Sequence, residues 1–292
     1  MSVDTKNSKI LGVFIPEFWS KKLNKKLDDT GVMKDCVNKD YEGEIKKCGD
    51  KVNIPEVGDI TIEDHDVSTS LTYQDLTATD LSLVIDQEKY FAFKVNDVTK
   101  AQANQKLTDK YISRAAFAIE MVQDTFLLSK RADVHADNVV PEMTLTENNV
   151  YQMFVELKKR LRWSNAISQK GKDAANRRPW AVVNPDIEAL ILLSPEMKDR
   201  GSNLVDKTIR EGTVYDFCGF DVMVATNMKT VSNKVEVLAG IEDAITFAGQ
   251  ISKVEHLRDK DGFNDLIRGL YVYGGKTLLP KGLAKCSCSI AA

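Results

Sequence analysis

The chain has 292 residues, is 43% hydrophobic and 28% charged, and carries a formal net charge of −3. That is ordinary globular composition, which excludes a wholly disordered, collagenous or disulfide-scaffold protein, and the length supports a core without staples. The missing basic excess excludes a dedicated nucleic-acid binder, and the longest apolar runs, Ala115–Ile119 and Ala189–Leu193, fall far short of a spanning helix.

Residues 1–49 read as an arm. Pro16 starts a short amphipathic stretch whose Phe14, Phe18 and Trp19 are candidate anchors, followed by Lys21, Lys22, Lys25 and Lys26. Residues 50–96 alternate apolar and polar side chains at Val52 and Ile54, at Ile60 and Ile62, at Leu81, Leu83 and Ile85, and around Tyr90–Val95. This predicts an extended hairpin, with a break at Pro55, Gly58 and Asp59. Residues 56–97 hold ten carboxylates against two lysines; Glu63, Asp64, Asp66, Asp75 and Asp80 are the candidate contact residues. A two-stranded ribbon is marginal alone in water, so it needs another surface to lie on.

Asp97 is a good helix cap, and Val98, Ala101, Gln105, Thr108, Ile112, Ala115, Ile119, Val122 and Phe126 recur at helical steps. The spacing predicts one long helix over 97–131, crossing a whole flat domain rather than forming a coiled coil. Further on, the pattern predicts a helix to Trp163, a polar loop over 164–176, a buried strand at Trp180–Val183 and a short helix at Ile187–Leu193. Strands follow around Val222–Ala225, Val235–Ala239 and Leu270–Tyr273, the last closed by Gly274-Gly275. Lys158, Lys159, Arg160, Arg162, Lys170, Lys172, Arg177 and Arg178 stand against Asp173 alone. This basic cluster could meet the acidic ribbon of another copy, touch phosphate, or be a solvated face.

Enzyme and metal signals are weak. Gly269–Thr277 mimics a phosphate loop, but the first glycine is misplaced and a strand lies between the glycines. His65, His135 and His256 show no metal spacing and read as surface histidines; Cys286-x-Cys288 has too short a spacing for a zinc knuckle with Cys36 and Cys48. The pattern at Cys286, Cys288 and Ile290 reads as a last strand with thiols as small hydrophobes, and carboxylate pairs such as Glu242-Asp243 read as charged surface. No cofactor and no catalytic residue is expected.

Taken in order, Gly49–Pro55, Ile85–Phe93, Val95–Val98, Arg178–Pro185, Gly219–Val222 with Asn227, Ala239-Gly240, Ala244–Ala248, Phe263, Arg268–Gly274 and Pro280 resemble the major capsid proteins of tailed bacteriophages, the Hong Kong 97-type fold. The resemblance implies an α+β chain with an N-arm at 1–49, an E-loop hairpin at 50–96, a P-domain with its spine helix at 97–145, an A-domain at 146–241 and a return to the P-domain at 242–292. It implies pentamers and hexamers closing an icosahedral shell around double-stranded DNA, in a virion assembled in the bacterial cytoplasm. The implied partners are further copies, a separate scaffolding protein, a portal protein, a possible decoration protein and weak contact with packaged DNA. A related compartment shell of the encapsulin type, or another structural component of a virion, is the alternative.

Overall fold

The computed structural model describes residues 31–42, 49–57, 62, 73–74, 78–96, 106–168, 171–198, 216–228, 230–231, 234–260, 262 and 264–290. Three sheets and a few helices build it. The largest sheet has seven strands: β4 (Val139–Leu145), β5 (Trp180–Val183), β6 (Asp216–Phe217), β7 (Phe220–Val224), β8 (Thr230–Val231), β9 (Lys234–Gly240) and β12 (Leu283–Ile290). Its spatial order is β4-β12-β9-β5-β7-β6, with β8 pairing β9. The β4–β12 and β5–β7 ladders are parallel and the others antiparallel.

Every residue of β5 is buried, which matches its unbroken apolar run. Helix α2 (Val150–Trp163) covers this sheet with Val150, Met153, Phe154, Leu157 and Leu161. Those positions are three or four residues apart and so share one face. The next helix, α3 (Pro185–Leu193), begins at Pro185 behind Asn184, whose Oδ1 accepts the Ile187 N–H at 3.0 Å. That satisfies one orphan donor of the first turn.

The long helix α1 (Lys106–Ser129) has 24 residues and passes into a 3-10 turn at Lys130–Asp133. The expected start at Asp97 lies outside the described residues. Its buried stripe is Ala116, Ile119, Glu120, Gln123, Asp124, Leu127 and Leu128, while Val122, expected on the core side, is exposed. The stripe is rotated from the apolar periodicity because three polar side chains face inward, and at least one of them has a definite task. Asp124 accepts the buried Met33 N–H at 3.0 Å and the Val32 N–H at 3.4 Å. Residues 33–37, read in the sequence as arm, are thereby part of the core: Met33, Cys36 and Val37 are buried, and Asn38 exchanges backbone bonds of 2.9 Å with Ile245 and Phe247.

Strands β1 (Lys51–Val57) and β2 (Ala78–Val84) pair antiparallel from Lys51–Val84 to Val57–Ala78. Strand β3 (Gln87–Asn96) does not continue this ribbon. It joins β10 (Ile245–Arg258) and β11 (Asn264–Thr277) in a separate three-stranded sheet, order β10-β11-β3. The single extended hairpin expected over 50–96 is therefore a ribbon of β1 and β2 plus a strand that leaves it after Asp86. Val52, Ile54, Leu83 and Ile85 form the ribbon's inner face and pack on Ala248 and Val272 of that sheet. Here the neighbouring surface which a lone ribbon needs is partly supplied by the same chain.

Candidate assembly surface

The predicted sites divide between described and undescribed residues. Phe14, Phe18, Trp19, Glu63, Asp64, Asp66, Asp75 and Lys170 lie outside the described residues. Asp80 is exposed on β2, opposite Pro55. Ile62 and Tyr73, between the two ribbon strands in sequence, are 94% and 88% exposed. On α1, Phe117 also faces outward, 58% exposed.

The basic cluster is less free than its sequence implies. Arg177 is an internal clamp: its guanidinium reaches Asp173 Oδ2 at 2.9 Å, Glu242 Oε2 at 2.7 Å and Asp243 Oδ1 at 2.7 Å. Asp173 is almost wholly buried, and the hydrogen bond to Asp243 does most to raise the Arg177 pKa. Arg178 pairs with Asp216 at 2.5 Å. Lys158 donates to the Cys218 carbonyl at 2.7 Å, and Arg160 to the Asp137 carbonyl at 2.9 Å. Two expectations are corrected together: Arg177 and Arg178 stitch the 164–178 loop to the sheet, and Glu242-Asp243 is one jaw of that stitch rather than bare charged surface. Among the described residues, Lys159 pairs only with its helical neighbour Glu156, at 3.1 Å. Among the described residues, Arg162 and Lys172 have no ion-pair partner.

These cations gather at the C-terminal end of α2, where Trp163 is 80% exposed. A concavity of about 640 Å³ lies on one side of this helix end, lined by Val155, Lys158, Lys159, Arg162, Trp163 and Cys218 among others. A second, of about 510 Å³, shares Trp163 and Lys159 and adds His135, Arg160 and Lys281. Val155 and Trp163 were missed as site residues because an apolar residue on an amphipathic helix reads as core. Yet both lie on the far side of α2 from the stripe of Val150, Met153, Phe154, Leu157 and Leu161, so the helical period itself turns them outward.

The other motifs resolve into structure. Gly269–Thr277 lies wholly within β11, and Lys276 donates to the Ser82 carbonyl at 3.2 Å. The strand runs through Gly274-Gly275 instead of closing there. The thiols of Cys286 and Cys288 are buried and 3.3 Å apart on β12, and Cys36 packs against Met223. Burial and its thiol neighbour push Cys288 up from the ordinary thiol range, with the Cys286 hydrogen bond the largest cause. His135 stands 3.4 Å from Asp137, and His256 the same distance from Asp265; His65 lies outside the described residues. Among the described residues, no group of three metal-ligating side chains converges, and no helix is long and apolar enough to cross a membrane.

No family model and no curated protein matches the sequence. Solved structures do match, across almost the whole chain. A chain of Mycobacterium phage Che8 is similar at a TM-score of 0.68 and 24% identity, with 88% of this chain and 91% of that one covered. The capsid of cyanophage P-SCSP1u matches at a TM-score of 0.63 and 12% identity, covering 100% and 94%. The fold is the Hong Kong 97-type capsid fold. A virus-like particle from Pyrococcus furiosus is also similar, at a TM-score of 0.55 and 11% identity, covering 93% and 98%. The α+β capsid fold implied by the sequence resemblance is thus the fold observed.

Proposed function

We propose that the protein is the major capsid protein of a tailed bacteriophage, a structural subunit and not an enzyme. Copies associate as pentamers and hexamers and close an icosahedral shell around double-stranded DNA. The observation that carries this reading is likeness over nearly the full length to capsids such as that of cyanophage P-SCSP1u, with both chains covered by more than nine-tenths. A partial match would be compatible with a borrowed domain; a match end to end supports a whole subunit.

The surface chemistry supports the same reading. Ile62, Tyr73 and Phe117 are large apolar side chains left exposed, and covering them with a neighbouring chain would be favourable. Many weak contacts per copy multiply into a durable shell. The net charge of −3 suits a wall that encloses DNA without gripping it. In this account residues 1–49 are an arm anchored by Phe14, Phe18 and Trp19, with its 33–37 stretch built into the core; 50–96 are an E-loop whose last strand, β3, joins the β10–β11 sheet; 97–145 and 242–292 are a P-domain, and 146–241 an A-domain. A separate scaffolding protein directs assembly in the host cytoplasm, and a portal protein occupies one vertex of the virion.

The likeness to a virus-like particle from Pyrococcus furiosus favours one second reading, a compartment shell holding protein cargo. Sedimentation velocity of the protein, expressed alone and with a scaffolding protein, tests the shell. Fast-sedimenting assemblies support both readings, and their contents then separate them: nuclease-protected DNA in infected cells for the virion, cargo protein without DNA for the compartment. A discrete monomer under every condition would sink both.

A further inference from the structure

Three elements wall the concavity of about 510 Å³: the C-terminal end of α2, the 3-10 turn Ala136–Asn138 and the 3-10 turn Pro280–Gly282. Buried Asn138 ties them together. Its Nδ2 donates to the Lys281 carbonyl at 2.7 Å and to the Leu283 carbonyl at 2.9 Å, and its Oδ1 accepts the Ser164 hydroxyl at 2.5 Å. The hollow is thus shaped before anything enters it, and its volume is that of ordinary small-molecule sites.

Its lining is cationic. Lys159, Arg160 and Lys281 share it with His135. The one carboxylate in the described lining, Asp137, is 84% exposed and stands 3.4 Å from His135. Arg160 donates from Nη1 to the Asp137 carbonyl at 2.9 Å, yet its Nε–H is buried and meets no acceptor among the described residues. A buried charged donor without an acceptor is costly, so this N–H calls for one supplied from outside the chain. The carbonyl end of a helix repels anions, but here those carbonyls are already occupied. Arg160 O accepts the Ser164 N–H at 3.0 Å, Leu161 O the Ala166 N–H at 3.1 Å and Arg162 O the Asn165 N–H at 3.0 Å.

Trp163 supplies the remaining wall, 80% exposed. The arrangement asks for an anion joined to a flat apolar group. A carboxylate brings a single charge, whereas a phosphomonoester brings about −1.5 to −2 and three acceptor oxygens, a better match to three clustered cations. A duplex offers phosphates but keeps its bases stacked on one another; an unpaired nucleotide leaves its base free to lie on an indole.

We propose that this concavity binds a nucleoside phosphate, the phosphate held by Arg160 and Lys281 and the base lying against Trp163. The chemistry is the same for a free nucleotide and for an unpaired nucleotide of a nucleic acid strand. The site lies within one chain, so it stands apart from the shell reading.

Isothermal titration calorimetry of the unassembled chain with deoxyadenosine monophosphate tests this. One molecule per chain is expected, with inorganic phosphate and deoxyadenosine each bound about tenfold or more weakly, since neither joins the two halves. Arg160→Gln and Lys281→Gln are each expected to weaken binding about tenfold, and Trp163→Leu about fivefold. Lys89→Gln, the same loss of charge on β3, is expected to leave it unchanged. Trp163 and Lys281 are exposed, so their variants decide the matter even if Arg160→Gln fails to fold. A short single-stranded oligodeoxyadenylate that competes with the nucleotide assigns the site to nucleic acid, and one that does not compete assigns it to free nucleotides; both outcomes support the proposal. Absence of binding at millimolar nucleotide would overturn it. So would binding indifferent to Lys281→Gln and Trp163→Leu, or a duplex bound as tightly as the nucleotide with no dependence on Trp163. None of these results bears on whether the chain forms shells.

Discussion

Gly274 lies directly beneath Val84: a Cβ built on it would stand 2.3 Å from the Val84 carbonyl oxygen and 2.9 Å from Ile85 Cα. This is where the root of the β1–β2 ribbon seats on β11, and only a glycine lets the two backbones come so close. The contact fixes where the β1–β2 ribbon joins the body of the molecule.

Gly274→Val should therefore unseat the ribbon root, because the obstructing atoms are backbone and cannot swing away. Overpacking at a site of this kind costs about 1–3 kcal/mol. The expected result is a lower denaturation midpoint for isolated subunits and a larger loss of assembly than of folded protein. Circular dichroism against temperature, beside a sedimentation assay, measures the two effects.

Arg177→Gln removes the clamp from three carboxylates, one of them the buried Asp173. Leaving a buried acceptor short of a partner costs about 1–3 kcal/mol. The lower half is expected here, because Arg177 is itself partly exposed and Asp173 keeps the Arg177 backbone N–H at 2.6 Å. Urea denaturation of the variant should show the loss, and proteolysis should cut first in the 164–178 loop.

Asp124 gives a prediction with a sign. Burial raises its pKa above the ordinary carboxylate range, against two backbone hydrogen bonds that lower it. The folded chain then holds this proton to higher pH than the unfolded chain does. Its contribution to stability is greatest below the ordinary carboxylate pKa and falls as pH rises to the raised value, then stays level. Asp124→Asn keeps an acceptor for the Met33 N–H and removes the titration, so its stability should decline less over that window. Asp124→Ala should lose about 1–3 kcal/mol by stranding the Met33 donor, and should free residues 32–37 to protease. Urea midpoints at several pH values compare the three proteins.

Thiol accessibility checks the packing of β12 and of the 33–37 segment. Cys36, Cys286 and Cys288 are buried, whereas Cys218 is partly exposed. In a Cys48→Ser background, a thiol reagent should label one site quickly and the other three only on unfolding. Adding Cys218→Ser should abolish the fast phase.

Local signals explain what was legible in the sequence. The apolar steps of Val150 to Leu161, the unbroken run at Trp180–Val183 and the alternation at Cys286 and Cys288 each name their own element, because each is buried by its own pattern. What was illegible depended on partners far along the chain. Arg177 and Arg178 read as free charge because Asp243, Glu242 and Asp216 are 38 to 66 residues away. Gly274-Gly275 read as the end of a strand because glycine is a breaker unless another backbone crosses it. Strand β3 read as the hairpin's return because its alternation is the same whichever sheet it joins. The outward turn of Trp163 was carried by the helical period, which sets it opposite the Val150–Leu161 stripe, but a lone aromatic at a helix end reads first as core.

The central claim is that this chain alone encodes a shell subunit. Electron microscopy of the purified protein, with scaffolding protein added where needed, tests it most directly. Closed icosahedral particles built from five- and six-fold clusters, each ribbon lying across a neighbouring subunit, are the predicted result. A protein that stays monomeric, or that forms only open tubes or small rings, would contradict it.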